Sequence, residues 1–197
     1  AMEVFHDQLL TRLHTSQSQL TVCDASSLIY RLSLLNHEKC PQVNRLSLTS
    51  EFEKIYTLTK KDHGKHINGF VDTHYLMAIL GSGHLAEAED FVHTLRLSHY
   101  AELHPREASI TEQLLQGMIH YEREQYKQCT ETLYSIRDQI VHLGASDAQR
   151  DVFTQLALAS AFKSARQDSA HQDILQQLIK EREKLLHNSN FIVQCAH

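Results

Sequence analysis

The chain has 197 residues, of which 42% are hydrophobic and 22% are charged, values typical of a soluble globular protein. Its formal net charge is −5, so it offers no strong basic stripe to neutralise phosphates, and nucleic-acid binding is not expected. With six glycines, two prolines and no tryptophan, the chain is poor in turn formers, which disfavours an all-β fold and favours helices with short connections.

No apolar stretch approaches the roughly 18 residues of a membrane span, and the first residues lack the basic start and apolar run of a signal peptide. We therefore expect a cytoplasmic protein without a membrane segment. The cysteines lie far apart and form no CxxC pair, so we expect reduced thiols, some of them in the core. They are Cys23, Cys40, Cys129 and Cys195.

Apolar residues recur at helical intervals almost throughout, which predicts an all-α fold of about eight to ten helices. The first predicted helices cover 3–20, 22–37 and 43–61, followed by a polar loop at 60–66. Three helix pairs come next: 69–81 with 84–99, 106–122 with 125–142, and 147–165 with 169–187. We treat 1–197 as one domain, with N-terminal helices in 1–62, pairs in 68–100, 105–143 and 147–187, and a tail in 188–197 that docks on the last pair.

Several predicted helix starts carry the capping-box pattern of a serine followed three residues later by Glu or Gln. The pattern occurs at 109–112, 146–149 and 169–172. The first occurrence is compatible with a position inside a helix that begins at Pro105, since proline is favoured in a first helical turn. The other two fall where the helical periodicity begins.

An internal repeat links the second helices of the pairs. Ala88, Val92 and Leu95 recur 41 residues later as Cys129, Leu133 and Ile136. A further 41 residues gives Ala170 and Ile174, and the pattern then fails at Gln177. A small residue followed by apolar residues at +4 and +7 occupies one helix face and lets a partner helix approach closely. In the middle pair, Gly117 with Tyr121 and Tyr126 gives the matching combination of a small residue, an aromatic residue and an aromatic residue at the turn. The pattern predicts degenerate tetratricopeptide-like (TPR-like) hairpins stacked as a short right-handed superhelix.

Three stretches resemble the tetratricopeptide repeat protein 38 family. Residues 24–32 are similar to its D-A-x-S-L-L-W-R-L segment, with Tyr30 for the usual Trp, and 70–78 are similar to F-x-D-x-H-x-x-M-A. Residues 144–153 are similar to G-G-S-H/N-A-Q-R-D-x-F, with Ala145 for the second Gly and Asp147 for His or Asn. The pair Glu181-Arg182 resembles a late E-R pair. Family members are longer, and this chain resembles their C-terminal part. The resemblance implies a helical-repeat fold and no specific activity.

The resemblance also draws attention to polar residues where repeat packing would favour apolar ones. Asp72 and His74 open one predicted helix, either as a cap with a tethered imidazole or as a carboxylate–histidine pair lining a groove. Residues i and i+2 do not face each other on a helix, so a direct dyad is not expected.

The second polar cluster lies at the start of a later predicted helix. Ser146 and Gln149 are expected to form the capping box. Arg150, next to Asp151, is then expected to reach a carboxylate across the helix pair, with Asp24, Asp72 or Glu181 as candidates. The alternative is an anion site at the helix N-terminus. The candidate ligand-binding residues are Asp24, Asp72, His74, Ser146, Gln149, Arg150 and Asp151.

Other chemistries have weaker support in the sequence. His63 and His66 have ligand-like spacing but no further partners at zinc spacing, so no metal site is expected. No G-x-S-x-G elbow surrounds Ser26-Ser27, and no strand precedes Gly81-Ser82-Gly83, so neither a hydrolase nucleophile nor a phosphate loop is indicated. We assign no catalytic residue and expect no cofactor.

Three functional hypotheses follow from the sequence. The first is a protein-interaction scaffold that holds a protein or peptide partner. The second is an enzyme or a small-molecule or anion-binding protein, with a polar site formed by Asp24, by Asp72 with His74, and by Ser146, Arg150 and Asp151. The third is a self-association module that forms a homo-oligomer through apolar surface at the end of the stack.

Overall fold

The structure is a computed structural model that describes residues 1–16, 18–35, 45–166 and 168–186. In these ranges the chain is helical nearly throughout and has no strand, which confirms the all-α prediction. None of the described helices is both long and apolar enough to cross a bilayer. Cys40, Cys195 and the predicted tail lie outside the described residues.

The described residues form ten helices, numbered in chain order. They are α1 (2–16), α2 (Gln19–Leu35), α3 (Arg45–Thr59), α4 (Gly69–Gly81), α5 (Leu85–Arg96), α6 (His99–Leu103), α7 (Pro105–Glu122), α8 (Tyr126–Ile136), α9 (Asp147–Ser164) and α10 (Ala170–Leu186). Helix α1 contains a π-helical segment, Phe5–Leu10, between the α-helical segments Met2–Val4 and Thr11–Ser16. Two 3-10 helices, Lys60–Lys65 and Ile140–Leu143, follow α3 and α8.

Three predicted elements differ from the structure. The predicted helix 125–142 ends at Ile136 and is followed by a separate 3-10 helix, Ile140–Leu143. The predicted loop at 60–66 is largely the first 3-10 helix, Lys60–Lys65. The residue that follows it, His66, has left-handed backbone angles. The predicted helix 84–99 ends at Arg96, and a short helix begins after Ser98. The Ser98 hydroxyl accepts the N–H of Ala101, so it caps the new helix and satisfies a donor that would otherwise be orphaned.

The predicted helix starts have different outcomes. Pro105 is the first residue of α7, so the serine pattern at 109–112 lies inside that helix. The pattern at 146–149 forms the predicted capping box. The box predicted at 169–172 is wrong, because Asp168 accepts the N–H of Ala170 and the Gln172 side chain reaches the carbonyl of Ala165 instead.

The last six long helices form three consecutive pairs. Helix α4 packs on α5, α7 on α8, and α9 on α10. Each of the first two pairs also packs its second helix on the first helix of the next pair, α5 on α7 and α8 on α9. Because a lone pair cannot bury both faces, these contacts complete the core.

The buried residues of the second helices correct the repeat register. Ala88, Val92 and Leu95 are buried, and so are their counterparts 41 residues later. In α10 the buried residues at the same spacing are His171, Leu175 and Leu178, which follow after 42 residues. The extension to Ala170 and Ile174 was wrong by one residue: Ala170 is exposed and Ile174 is only half-buried.

The turns inside the first two pairs also repeat. After α4, the N–H of His84 bonds the carbonyl of Ile79, and the matching bond after α7 joins Gln125 to His120. The residue before each donor has a positive φ, 86° at Gly83 and 59° at Glu124. This is the Schellman type of helix end, in which glycine is the favoured residue. The same turn geometry therefore occurs twice, 41 residues apart.

Helix α2 joins distant parts of the chain. It packs on both α4 and α9, and it buries Ala25 and Ile29 completely. At its C-terminal part, the Arg31 guanidinium donates to the carbonyl of Ala148 in α9, at 2.8 Å. An open stack of repeats makes contacts between neighbours only. Here α2, which precedes the three pairs, instead packs on two helices that belong to different pairs.

Candidate functional site

The start of α9 is fixed by its capping box. The Ser146 hydroxyl accepts the N–H of Gln149 at 3.3 Å, and the Gln149 side chain accepts the N–H of Ser146 at 3.0 Å. Just before the box, Gly144 and Ala145 have positive φ values, which turn the chain into the helix. Ser146 and Gln149 thus act as structural caps, as predicted.

Arg150 does not make the predicted contact across the helix pair. Its guanidinium donates to the carbonyls of Gly144 and Ala145 and pairs with Asp147, all within its own helix start. The prediction that Arg150 reaches Asp24, Asp72 or Glu181 is therefore wrong. The physical reason is local: the turn at 144–145 aims its carbonyls at the first helical turn, within reach of the arginine.

The arginine that crosses the helix pair is Arg182 of α10. Its Nη2 lies 3.1 Å from the Asp151 carboxylate, which also accepts from the Gln155 side chain at 2.6 Å. Arg182 is only 8% exposed, and its Nε has no hydrogen-bond partner in the structure. A buried donor without an acceptor costs stability, so this atom requires a physical explanation.

A second guanidinium, that of Arg31, lies on the same side of α9. It donates to the carbonyl of Ala148, one helical turn before Asp151. No carboxylate among the described residues forms an ion pair with Arg31. Burial lowers the pKa of Arg31, Asp151 raises it, and the nearby Arg182 lowers it, which shows that the three charges act on one another. The carboxylate of Asp24, on the same helix as Arg31, also raises the pKa of Arg31.

These residues line a cleft of about 810 Å³ between α2, α8, α9 and α10, here called the arginine cleft. Its charged lining comprises Arg31, Arg137, Arg150, Arg182, Asp138, Asp147, Asp151 and Glu181. Its other lining residues are Leu133, Ile140, Val141, Ala148, Phe153, Thr154, Ala157 and Leu178. Arg137 bonds Glu181 at 3.2 Å and stacks on Tyr134, so this wall is held in place from both sides. The cleft is thus lined by both apolar and charged residues.

Asp72 lies away from the arginine cleft, beside a cavity of about 200 Å³ near the start of α4. One carboxylate oxygen lies 3.3 Å from His66 Nδ1, and the other is buried without a partner. His66 Nε2 lies 2.9 Å from the Thr94 hydroxyl of α5. Burial raises the pKa of Asp72, and the hydrogen bond from His66 opposes that rise. The hydrogen bonds from Asp72 to His66 and from His66 to Thr94 therefore link the segment before α4 to α5.

His74 points to a different side of α4, as the i and i+2 spacing requires. Its Nδ1 donates to the carbonyl of Phe70 at 2.7 Å, and its ring packs against Phe153 of α9 with centroids 6.0 Å apart. Burial lowers the pKa of His74 to about 4, and the positive charge of Arg31 adds to this effect. His74 is thus an uncharged core residue at neutral pH. It contacts α9, the helix that contributes the most residues to the lining of the arginine cleft.

The seven predicted site residues therefore do not form one site. Arg150 and Asp151 line the arginine cleft, and Ser146 and Gln149 cap the helix that carries them. Asp72 lines the separate cavity. The remaining carboxylate, Asp24, is exposed and lies on the Arg31 side of α2.

Three arginines of the cleft, Arg31, Arg137 and Arg182, were absent from the predicted site. Arg31 lies in the first stretch of the family resemblance, next to its last residue, and Arg182 belongs to its late E-R pair. The stretches meet in space: Arg31 bonds Ala148, Arg182 pairs with Asp151, and the rings of Phe70 and Phe153 pack with centroids 6.2 Å apart. The motifs themselves were the available signal, but sequence spacing does not reveal which side chains of separate helices meet.

The thiols and the histidines give no further site in the described part of the chain. Cys23 and Cys129 are free and buried, and burial raises the pKa of each to about 12, so neither is a reactive thiolate. Among the described residues, no group of three or more His, Cys, Asp or Glu side chains is arranged to hold a metal ion.

No protein-family model matches the chain, and no solved structure matches it significantly.

Proposed function

We propose that this chain is a TPR-like interaction scaffold that binds a protein or peptide partner in the arginine cleft. The observation that carries the proposal is the cleft itself, which is lined by apolar residues and four arginines. Binding sites of this kind combine apolar contact area with a few placed polar groups. Arginine is also enriched among the residues that contribute most to protein interfaces.

Three features support the TPR-like superhelix. Buried triplets repeat after 41 and then 42 residues. The Schellman turn repeats after 41 residues. A close helix approach occurs at Gly117, where a Cβ would lie 2.7 Å from Leu133 of the paired helix. Together with the three motif stretches, these features favour membership of the tetratricopeptide repeat protein 38 family, which we propose on that basis.

The position of α2 favours the arginine cleft over the inner face of the stack. In an open helical-repeat protein, the first helices of successive pairs line a concave groove that receives the partner. Here α2 packs on α4 and α9, the first helices of two pairs, so it covers part of the surface of both. A partner would then bind where α2 ends, beside Arg31.

The lining of the cleft favours binding over catalysis. Within the described residues that line it, Thr154 is the single hydroxyl, and there is no histidine or cysteine to act as base or nucleophile. Three of the four arginines are held by Asp147, Asp151 and Glu181. Arginines that carboxylates hold in place in this way are suited to binding charged groups of a partner.

A pair of tryptophan variants tests the proposal. Thr154→Trp places a large side chain in the cleft, and Thr57→Trp places one on the exposed face of α3 as a matched control. Proteins captured from cell extract under reducing conditions are compared by quantitative mass spectrometry. We expect Thr154→Trp to lose specific partners that wild type and Thr57→Trp retain. Equal capture by all three, with both variants folded by circular dichroism, would count against the cleft as the binding site.

A further inference from the structure

The arginine cleft contains a more defined subsite at the first two turns of α9. Ala148 and Asp151 are three residues apart, so they lie on the same face of the helix. Arg31 bonds the first of them and Arg182 the second, which brings guanidinium groups from α2 and α10 to one place. The N-terminus of α9, with its positive helix-dipole end, lies beside them.

Two hydrogen-bonding features of this subsite are incomplete. The Nε–H of Arg182 is buried and has no acceptor among the residues that the structure describes. Arg31 donates to the carbonyl of Ala148 at 2.8 Å and, more weakly, to that of Gln149 at 3.5 Å, and it has no ion-pair partner among the described residues. Asp151 pairs with Arg182 and already accepts from Gln155, and Asp24 acts on Arg31 electrostatically without forming an ion pair with it among the described residues. One guanidinium without a direct ion pair and one buried donor without an acceptor therefore lie close together in the described part of the chain.

We propose that Arg31 and Arg182 form a binding subsite for a single carboxylate in the arginine cleft. One carboxylate oxygen would accept from Arg182 Nε once a small rotation of that buried side chain turns the N–H toward the cleft, and the carboxylate charge would pair with Arg31. A singly charged carboxylate adds less negative charge beside Asp24 and Asp151 than a dianionic phosphate would. The inference rests on the proposed function, because it assigns the acidic group that a partner would place in the cleft.

Two sources could supply this carboxylate: a free organic acid, or an Asp or Glu side chain of a partner. The probe for the first is N-acetylglutamate α-amide, which carries one carboxylate, and its matched control is the neutral N-acetylglutamine α-amide. The probe for the second is an N-acetylated, C-amidated pentapeptide with a central Glu between alanines. Inorganic phosphate is tested in parallel.

The measurement follows the Arg Nε–H signals of the whole chain by nuclear magnetic resonance during each titration. We expect the Arg182 signal to shift saturably with the carboxylate probe and not with the neutral amide. Arg31→Gln should weaken binding about tenfold or more, since a charge-assisted contact is lost. Arg12→Gln removes the same charge from an exposed position in α1 and should leave the affinity unchanged.

Each outcome decides a separate point. An Arg182 signal that does not shift, or that shifts equally with the neutral amide, overturns the subsite, and tighter binding of phosphate overturns the carboxylate assignment. An unchanged affinity in folded Arg31→Gln overturns the two-arginine geometry. Binding of the pentapeptide supports a partner side chain as the source, and binding of the free probe alone supports an organic acid. None of these titrations needs a partner protein, so failure here is distinguishable from failure of the capture experiment.

Discussion

At the scale of single residues, burial decides the role of each polar group. Asp147 and Asp151 both lie in the first turns of α9, yet Asp147 is highly exposed and Asp151 is shared by Arg182 and Gln155. The sequence predicted that a polar cluster would occur here, and it predicted the capping box correctly. It assigned the cross-helix contact to Arg150, because residue spacing along α9 does not reveal the turn carbonyls within reach of Arg150 or the arginine that α10 places beside Asp151.

The first prediction compares these two aspartates. Asp151→Asn should lower the free energy of unfolding by about 2–3 kcal/mol, because it leaves the buried Arg182 without its counter-charge. Asp147→Asn removes a similar helix-dipole interaction, but the ion pair that it breaks is exposed to solvent. It should therefore lower the free energy of unfolding by only about 0.5 kcal/mol. Urea denaturation of both variants measures the difference. Equal losses would show that the Arg182 pair is not buried as described.

A second prediction concerns His74 and pH. Its pKa is lowered from 6.5 to about 4 in the folded chain, so the unfolded chain binds the proton first as pH falls. This group leaves stability unaffected above pH 6.5, and between pH 6.5 and 4 it should remove up to about 3 kcal/mol.

Denaturation at several pH values tests this, with the slope as the readout. His74→Asn should flatten the acid side of the stability curve, even if the variant is less stable at neutral pH. His93→Asn, at an exposed position of α5, serves as the control and should keep the wild-type slope. An unchanged slope in His74→Asn would remove the buried histidine as the cause of acid sensitivity.

At the scale of elements, helical periodicity predicted most helices within a few residues. It missed the break at Ser98, where a side-chain cap starts a new helix, and it placed the third repeat one residue early. Periodicity alone cannot separate these registers in α10, because Ile174 and Leu175 are adjacent apolar residues. Only the packing of α10 on α9 decides which of them is buried.

A pair of truncations tests the corrected register. Leu175→Ala should lower the free energy of unfolding by about 2–4 kcal/mol, since it empties a core position. Ile174→Ala, at a half-buried position, should cost about 1 kcal/mol. Thermal or urea denaturation under identical conditions gives the comparison. A larger loss for Ile174→Ala would restore the offset of 41 residues.

At the scale of the whole molecule, the contact between α2 and α9 could not be predicted from the sequence. The two helices are separated by more than 100 residues, and no local pattern encodes their pairing. The family resemblance named the stretches that meet, but not that they meet. Because α2 covers faces of α4 and α9, the accessible surface differs from that of an open stack. This arrangement moves the expected binding site from the inner face to the arginine cleft.

The most direct test is photo-cross-linking in cells with benzoylphenylalanine at position 154 in the arginine cleft or at position 57 on the outer face of α3. We predict a specific adduct from position 154 that weakens in Arg31→Gln and is absent from position 57. Adducts of equal yield from both positions, or none from position 154 in a folded protein, would contradict binding in the cleft.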